Sequence, residues 1–162
     1  MNKFIVILSM LVSSVVFAMP TVGDFIEYDR QTIQGDRTIS ETVTQEIISY
    51  NTITKKFREK TSVRLVDGRI QTSERENSLE VLMDDKELGD ILSRCRSYGG
   101  KTVNLPTPAG NISTCALPMN DIMNQRTIWY GKIPFGVVKD EVTLELTGDR
   151  QVLMLKSFRP GK

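Results

Sequence analysis

The chain alternates apolar and polar residues over most of its length, and turn signals recur every ten to fifteen residues. In the stretch VGDFIEYDRQT, Val22 to Thr32 reads as a first strand. Gly35-Asp36 turns it into a long second run, Thr38 to Tyr50. Asn51 breaks that run, and Ile53 to Val66 forms a third. Asp67-Gly68 predicts a two-residue hairpin turn with positive φ at both central positions, and Arg69 to Glu74 returns as a fourth strand. Leu79, Val81 and Met83 suggest a further short strand. The abundance of threonine, isoleucine and valine in these runs suits a pleated, half-buried surface.

The period then changes from two to 3.6. Leu88, Ile91, Leu92 and Cys95 fall on one stripe of an α-helix. Asp84, Asp85 and Glu87 place negative charge in its first turn and Arg94 and Arg96 positive charge in its last, as the helix dipole favours. Gly99-Gly100 supplies a stop. Strands resume at Lys101 to Leu105 and Asn111 to Ala116, around the turn Pro106 to Gly110. Pro118 to Gln125 reads as an irregular or short helical connection. Thr127 to Lys132, the bend Pro134-Phe135-Gly136, Val137 to Leu146, the turn Gly148-Asp149 and Gln151 to Phe158 complete the pattern. The fold class is α+β and β-dominated: a bent antiparallel sheet of about eight or nine strands packed on one main helix.

The N-terminus predicts export. Lys3 precedes an uncharged, mostly apolar run from Phe4 to Phe17, and Val16-Phe17-Ala18 fits signal peptidase. Residues 1–18 are expected to be removed, with cleavage between Ala18 and Met19. The alternative, a membrane anchor, is disfavoured because a run of about 14 residues is short for a span. No later apolar run is long enough to span, and no cysteine follows the cleavage point to carry a lipid. Residues 19–162 then form a single β-rich domain, periplasmic or secreted. Without Lys3 that domain holds 20 basic and 20 acidic residues, a balance that gives no reason to expect nucleic acid as a partner.

In an exported chain, two cysteines read as one structural disulfide, Cys95 with Cys115. The spacing fits neither a C-x-x-C redox pair nor a zinc site. The acidic group Asp84, Asp85, Glu87 and Asp90 lacks the spacing of a calcium loop and reads as a charged helix start. No histidine occurs anywhere in the chain, which removes the commonest general base and the commonest zinc ligand. No nucleophile-elbow or phosphate-loop motif is present. No catalytic residue, metal or cofactor is therefore expected. Carboxylate pairs such as Glu27 and Asp29 read as surface charge, or as the acids of a hydrolase.

Aromatic residues concentrate in TIWYGKIPFGVVKDEV. Trp129 and Tyr130, being adjacent on a strand, face opposite sides. Trp129 and Phe135 read as core anchors. Alternatively, Trp129, Tyr130, Phe135 and Met154 line an apolar cleft. The closing VLMLKSF places Val152, Met154 and Phe158 on one face and Leu153 and Leu155 on the other, as in a strand covered on both sides.

Taken in order, VGDFIEYD, a helix ending in cysteine, YGG, TPAGNISTC, IWYGKIPFGVVK and LMLKSF resemble a group of uncharacterised exported bacterial β-rich domains. That group is similar in organisation to periplasmic lipoprotein-carrier-like half-barrels. The resemblance implies a bent sheet wrapped around a helix and able to enclose an acyl chain, and it assigns no site residue. The expected function is an exported non-catalytic protein that binds an apolar ligand, lipid or lipidated protein in a bent-sheet cleft. The alternative is an envelope structural or interaction protein without a ligand cavity, with edge strands as its contact surface.

Overall fold

The structure, a computed structural model, describes residues 21–79, 84–119 and 123–162. Among them nine strands and one helix follow in order. They are β1 Phe25–Gln34, β2 Arg37–Asn51, β3 Lys56–Arg64, β4 Ile70–Ser78, α1 Asp85–Ser93, β5 Lys101–Thr107, β6 Gly110–Pro118, β7 Asn124–Gly131, β8 Val137–Leu144 and β9 Arg150–Arg159. The strands form one antiparallel sheet in the order β4-β3-β2-β1-β9-β8-β7-β6-β5. Two meanders are thus joined where the last strand pairs with the first. The segment carrying α1 links the sheet's two edges, β4 and β5.

The sheet is strongly bent. β9 and β5 stand four strand spacings apart, roughly 19 Å if the sheet were flat. Their Cα atoms nevertheless come within 8 Å. Bulges contribute to the curvature, because each extra residue bends its strand and raises the local twist. They interrupt β2 against β3 between Ile47 and Ser49, β1 against β9 between Glu27 and Tyr28, and β7 against β8 between Trp129 and Tyr130.

Two clusters fill the interior. Ile26, Tyr28, Val43, Ile133, Val138 and Leu155 are buried together, with Leu105, Ile112 and Phe135 packed against them. The second cluster lies under the helix, where Leu88 meets Ile128 and Tyr130, flanked by Ile91, Leu92 and Leu117. The apolar stripe predicted for the helix is the one that packs.

Several expectations change in detail. The helix is only nine residues long and ends at Ser93. Arg94 is its C-cap, and consecutive turns carry the chain from there to Gly99 (φ 77°). Arg94 and Arg96 therefore lie beyond the last turn, which holds no basic residue. Asp84 is the N-cap, its carboxylate accepting from the Glu87 N–H at 2.7 Å, a satisfied orphan donor rather than a cation ligand. At the β3–β4 turn only Gly68 has positive φ (83°), and its N–H donates to the Leu65 carbonyl. Val66 and Asp67 are the central residues there, so the turn is not the two-residue type expected of Asp67-Gly68. Pro106 sits inside β5, which is tolerable because β5 is an edge strand. The strand suggested by Val81 and Met83, the cleavage point Ala18–Met19, and residues 120–122 of the β6–β7 connection lie outside the described residues.

Candidate functional site

Cys95 and Cys115 are joined as a disulfide, and both are buried. Cys115 stands opposite Tyr130 in register, and Leu117 stands opposite Ile128, so all four share the face that takes α1. The bond fastens the turn that follows the helix to β6. Gly100 lies against it: a Cβ there would sit 2.9 Å from the Cys95 sulfur and 2.5 Å from Leu117.

The four residues expected to line an apolar cleft occupy different places. Tyr130 is buried beneath the helix. Trp129 faces the other way, with the Lys139 ammonium 4.3 Å above its ring. Met154 is paired in register with Lys139 and shares that face. Phe135 sits in the left-handed region (φ 62°) in the bend between β7 and β8, packed on the Tyr28 cluster. Trp129 and Met154 therefore share a face, but the four do not converge.

A hollow of about 200 Å³ opens instead at the centre of the sheet, across β2, β1, β9 and β8. Tyr28, Val43, Val142 and Leu153 supply its floor and walls, and Arg30, Gln45, Asp140 and Gln151 its rim. The register explains the grouping. Tyr28 stands opposite Val43 and Leu155, Arg30 opposite Glu41 and Leu153, and Leu153 opposite Asp140. Residues opposite one another in an antiparallel pair share a face. Along β1 that face runs Ile26, Tyr28, Arg30, changing from apolar to charged from the floor to the mouth.

The charges at the mouth are paired. The Arg30 Nε and Nη2 donate to Glu41 at 2.8 and 2.5 Å. The Arg126 guanidinium binds both oxygens of Asp140, at 2.9 and 2.6 Å, and this pairing raises its pKa further. The buried Tyr28 hydroxyl donates to the Val137 carbonyl at 2.8 Å. Burial pushes its phenol well above the usual range, helped by the charges of Asp140 and Glu59. Glu59 in turn accepts from Gln45 at 2.9 Å and Thr61 at 3.1 Å.

A second, larger and more open hollow of about 450 Å³ lies at the β2–β3 turn, beside Tyr50, Ile53, Lys56, Arg58 and Glu76. Glu27 and Asp29 are both ion-paired to Lys156, at 3.3 and 3.6 Å. Among the described residues no group of three metal-ligating side chains converges, and no helix is long and apolar enough to cross a membrane.

Apart from Leu153, which the closing strand places with Leu155 on one apolar face, no motif in the sequence marks the residues of the central hollow. The one local signal was the placement of Tyr28 and Arg30 two apart on β1, with Glu41 reached across a two-residue hairpin.

No protein-family model and no curated protein matches the chain. The fold is shared with solved structures. A Bacteroides fragilis protein described as exported, with a YmcC-like fold, matches with a TM-score of 0.54 at 12% identity. The match covers 87% of this chain and 98% of that one. A protein of Parabacteroides distasonis described as a lipoprotein matches with a TM-score of 0.51 at 10% identity, over 86% and 96% of the two chains. These likenesses agree with the resemblance to exported β-rich domains.

Proposed function

We propose that the chain is a non-catalytic protein of the bacterial cell envelope that binds another protein across its sheet, and that it does not carry an acyl chain. The observation that carries this reading is the state of the interior. Tyr28, Leu155 and Val138 pack within the sheet against Leu105 and Ile112, Leu88 packs on Ile128 and Tyr130 beneath the helix, and the central hollow has a polar rim. An acyl chain is held by apolar walls, at about 0.8 kcal/mol per buried CH₂, and the rim offers few of them.

Other features support the same reading. Among the described residues, β4 and β5 are the edges of the sheet. β4 is exposed along most of its nine residues, which suits the addition of a partner strand. Its Glu74 and Glu76, flanked by Arg58 and Lys56, are 3.9 and 2.9 Å from those cations. Charges of this kind on an edge discourage indiscriminate pairing. A disulfide persists in oxidising compartments, and the fold is shared with proteins described as exported or as lipoproteins. The lack of histidine and the ion-pairing of Glu27 and Asp29 fit a protein without catalysis.

The test is photo-crosslinking in cells that produce the protein, with the crosslinker placed at Gln71 or Ser73 on β4, or at Gln151 beside the central hollow. Discrete protein adducts are expected. Adducts to lipid alone, or none from any of the three positions, would overturn the proposal.

A further inference from the structure

We infer that the central hollow is an anchor pocket for one aliphatic or aromatic side chain of a protein partner, with the rim binding the partner's flanking backbone. The inference rests on the protein-binding reading and names the chemistry of the site.

Size argues first. Pockets for small molecules span about 300–1,000 Å³, and about 200 Å³ is below that range. A space of this size suits a single side chain, the unit in which interface energy is concentrated. Shape argues next. Tyr28 and Val43 are buried at the floor, while Val142 and Leu153 are half-buried walls, so an inserted side chain meets apolar atoms below and beside it.

The rim then selects what surrounds that side chain. Arg30, a donor, and Asp140, an acceptor, are carried by β1 and β8 on either side of β9. An extended peptide offers a carbonyl and an N–H on either side of each side chain, which matches this pair. Arg30 commits Nε and Nη2 to Glu41, and a guanidinium has five N–H donors. Each Asp140 oxygen accepts one bond from Arg126, and a carboxylate has about four lone-pair sites. Gln151 is exposed, and its carboxamide both donates and accepts. An acyl chain would leave these groups facing methylenes, with no gain from them.

The test uses capped amino acids as probes of the whole protein with its disulfide formed, followed by amide NMR. N-acetyl-leucinamide should shift the backbone amides of Val142 and Leu153 and the Gln151 carboxamide, at about tenfold lower concentration than N-acetyl-alaninamide. Val142→Trp, which fills the hollow, should abolish those shifts. Gln151→Ala changes an exposed side chain, tests the rim without disturbing the fold, and should weaken binding a few-fold.

Unmoved resonances, equal shifts from the alanine probe, or unchanged binding to either variant would overturn the inference. So would decanoate shifting the same resonances at lower concentration than the leucine probe, because the hollow would then belong to acyl chains. A protein adduct at β4 with a silent hollow would remove the anchor and leave the protein-binding reading intact. A responsive hollow with no protein adduct would remove the protein partner instead.

Discussion

Tyr28 lies at the floor of the hollow with its hydroxyl committed to the Val137 carbonyl. Tyr28→Phe leaves that carbonyl without its partner and should cost about 1 kcal/mol, measured by chemical denaturation at neutral pH. Burial raises the Tyr28 phenol above its ordinary value of 10.0. The folded protein therefore keeps a neutral phenol where the unfolded chain ionises. Stability from this group is complete below pH 10.0 and is lost as pH rises through the folded value. The Phe variant should show a shallower alkaline decline. Glu141 has the opposite sign. Burial works against its ionisation, but Lys139 and Arg150, both at 2.7 Å, outweigh it and hold the carboxyl below its ordinary 4.5. Its contribution is present above pH 4.5 and is lost as pH falls through the folded value. Glu141→Gln should flatten the acid limb of the stability profile, with melting temperature against pH as the measurement. Gly131 is a packing position. A Cβ there would lie 2.5 Å from Val138 and 3.0 Å from Ile112, so Gly131→Ala should cost about 1–3 kcal/mol through overpacking.

The helix and the disulfide act as one unit. Replacing both cysteines with serine opens a loop of sequence separation 20 and should cost about 3 kcal/mol. The native protein should resist thiol labelling until reductant is added; ready labelling of the folded protein would contradict the bond. Asp84→Ala removes the helix N-cap and should cost about 1 kcal/mol. Much at this scale was legible in the sequence. Alternation located the strands, and the 3.6-residue period located the helix stripe and its acidic start. Bulges were not legible, because an extra residue leaves composition and local pattern unchanged while shifting the faces. In LMLKSF the spacing places Phe158 with Met154. The bulge in the β1–β9 ladder instead sets Phe158 opposite Ile26, on the face of Tyr28 and Leu155. The four residues Trp129, Tyr130, Phe135 and Met154 do not converge for a related reason: neighbours on a strand face opposite ways, so density in sequence is not convergence in space. The hollow itself joins β1 and β2 to β8 and β9. That meeting of the chain's two ends depends on topology, and no short stretch records it.

In the molecule as a whole, a bent sheet fills much of its interior with its own side chains, leaves the central hollow, and among the described residues ends in β4 and β5. Export is expected to remove residues 1–18, so N-terminal sequencing of protein from the envelope fraction should begin at Met19. Retention of the first 18 residues would contradict it. In the reading proposed above, this fold, shared with proteins described as exported or as lipoproteins, serves to bind protein and does not carry lipid. Native mass spectrometry of the protein purified gently from its own host distinguishes the two. The expected spectrum shows the chain alone or with a protein partner, and no lipid adduct. A stoichiometric acyl or lipid adduct that survives purification would contradict it.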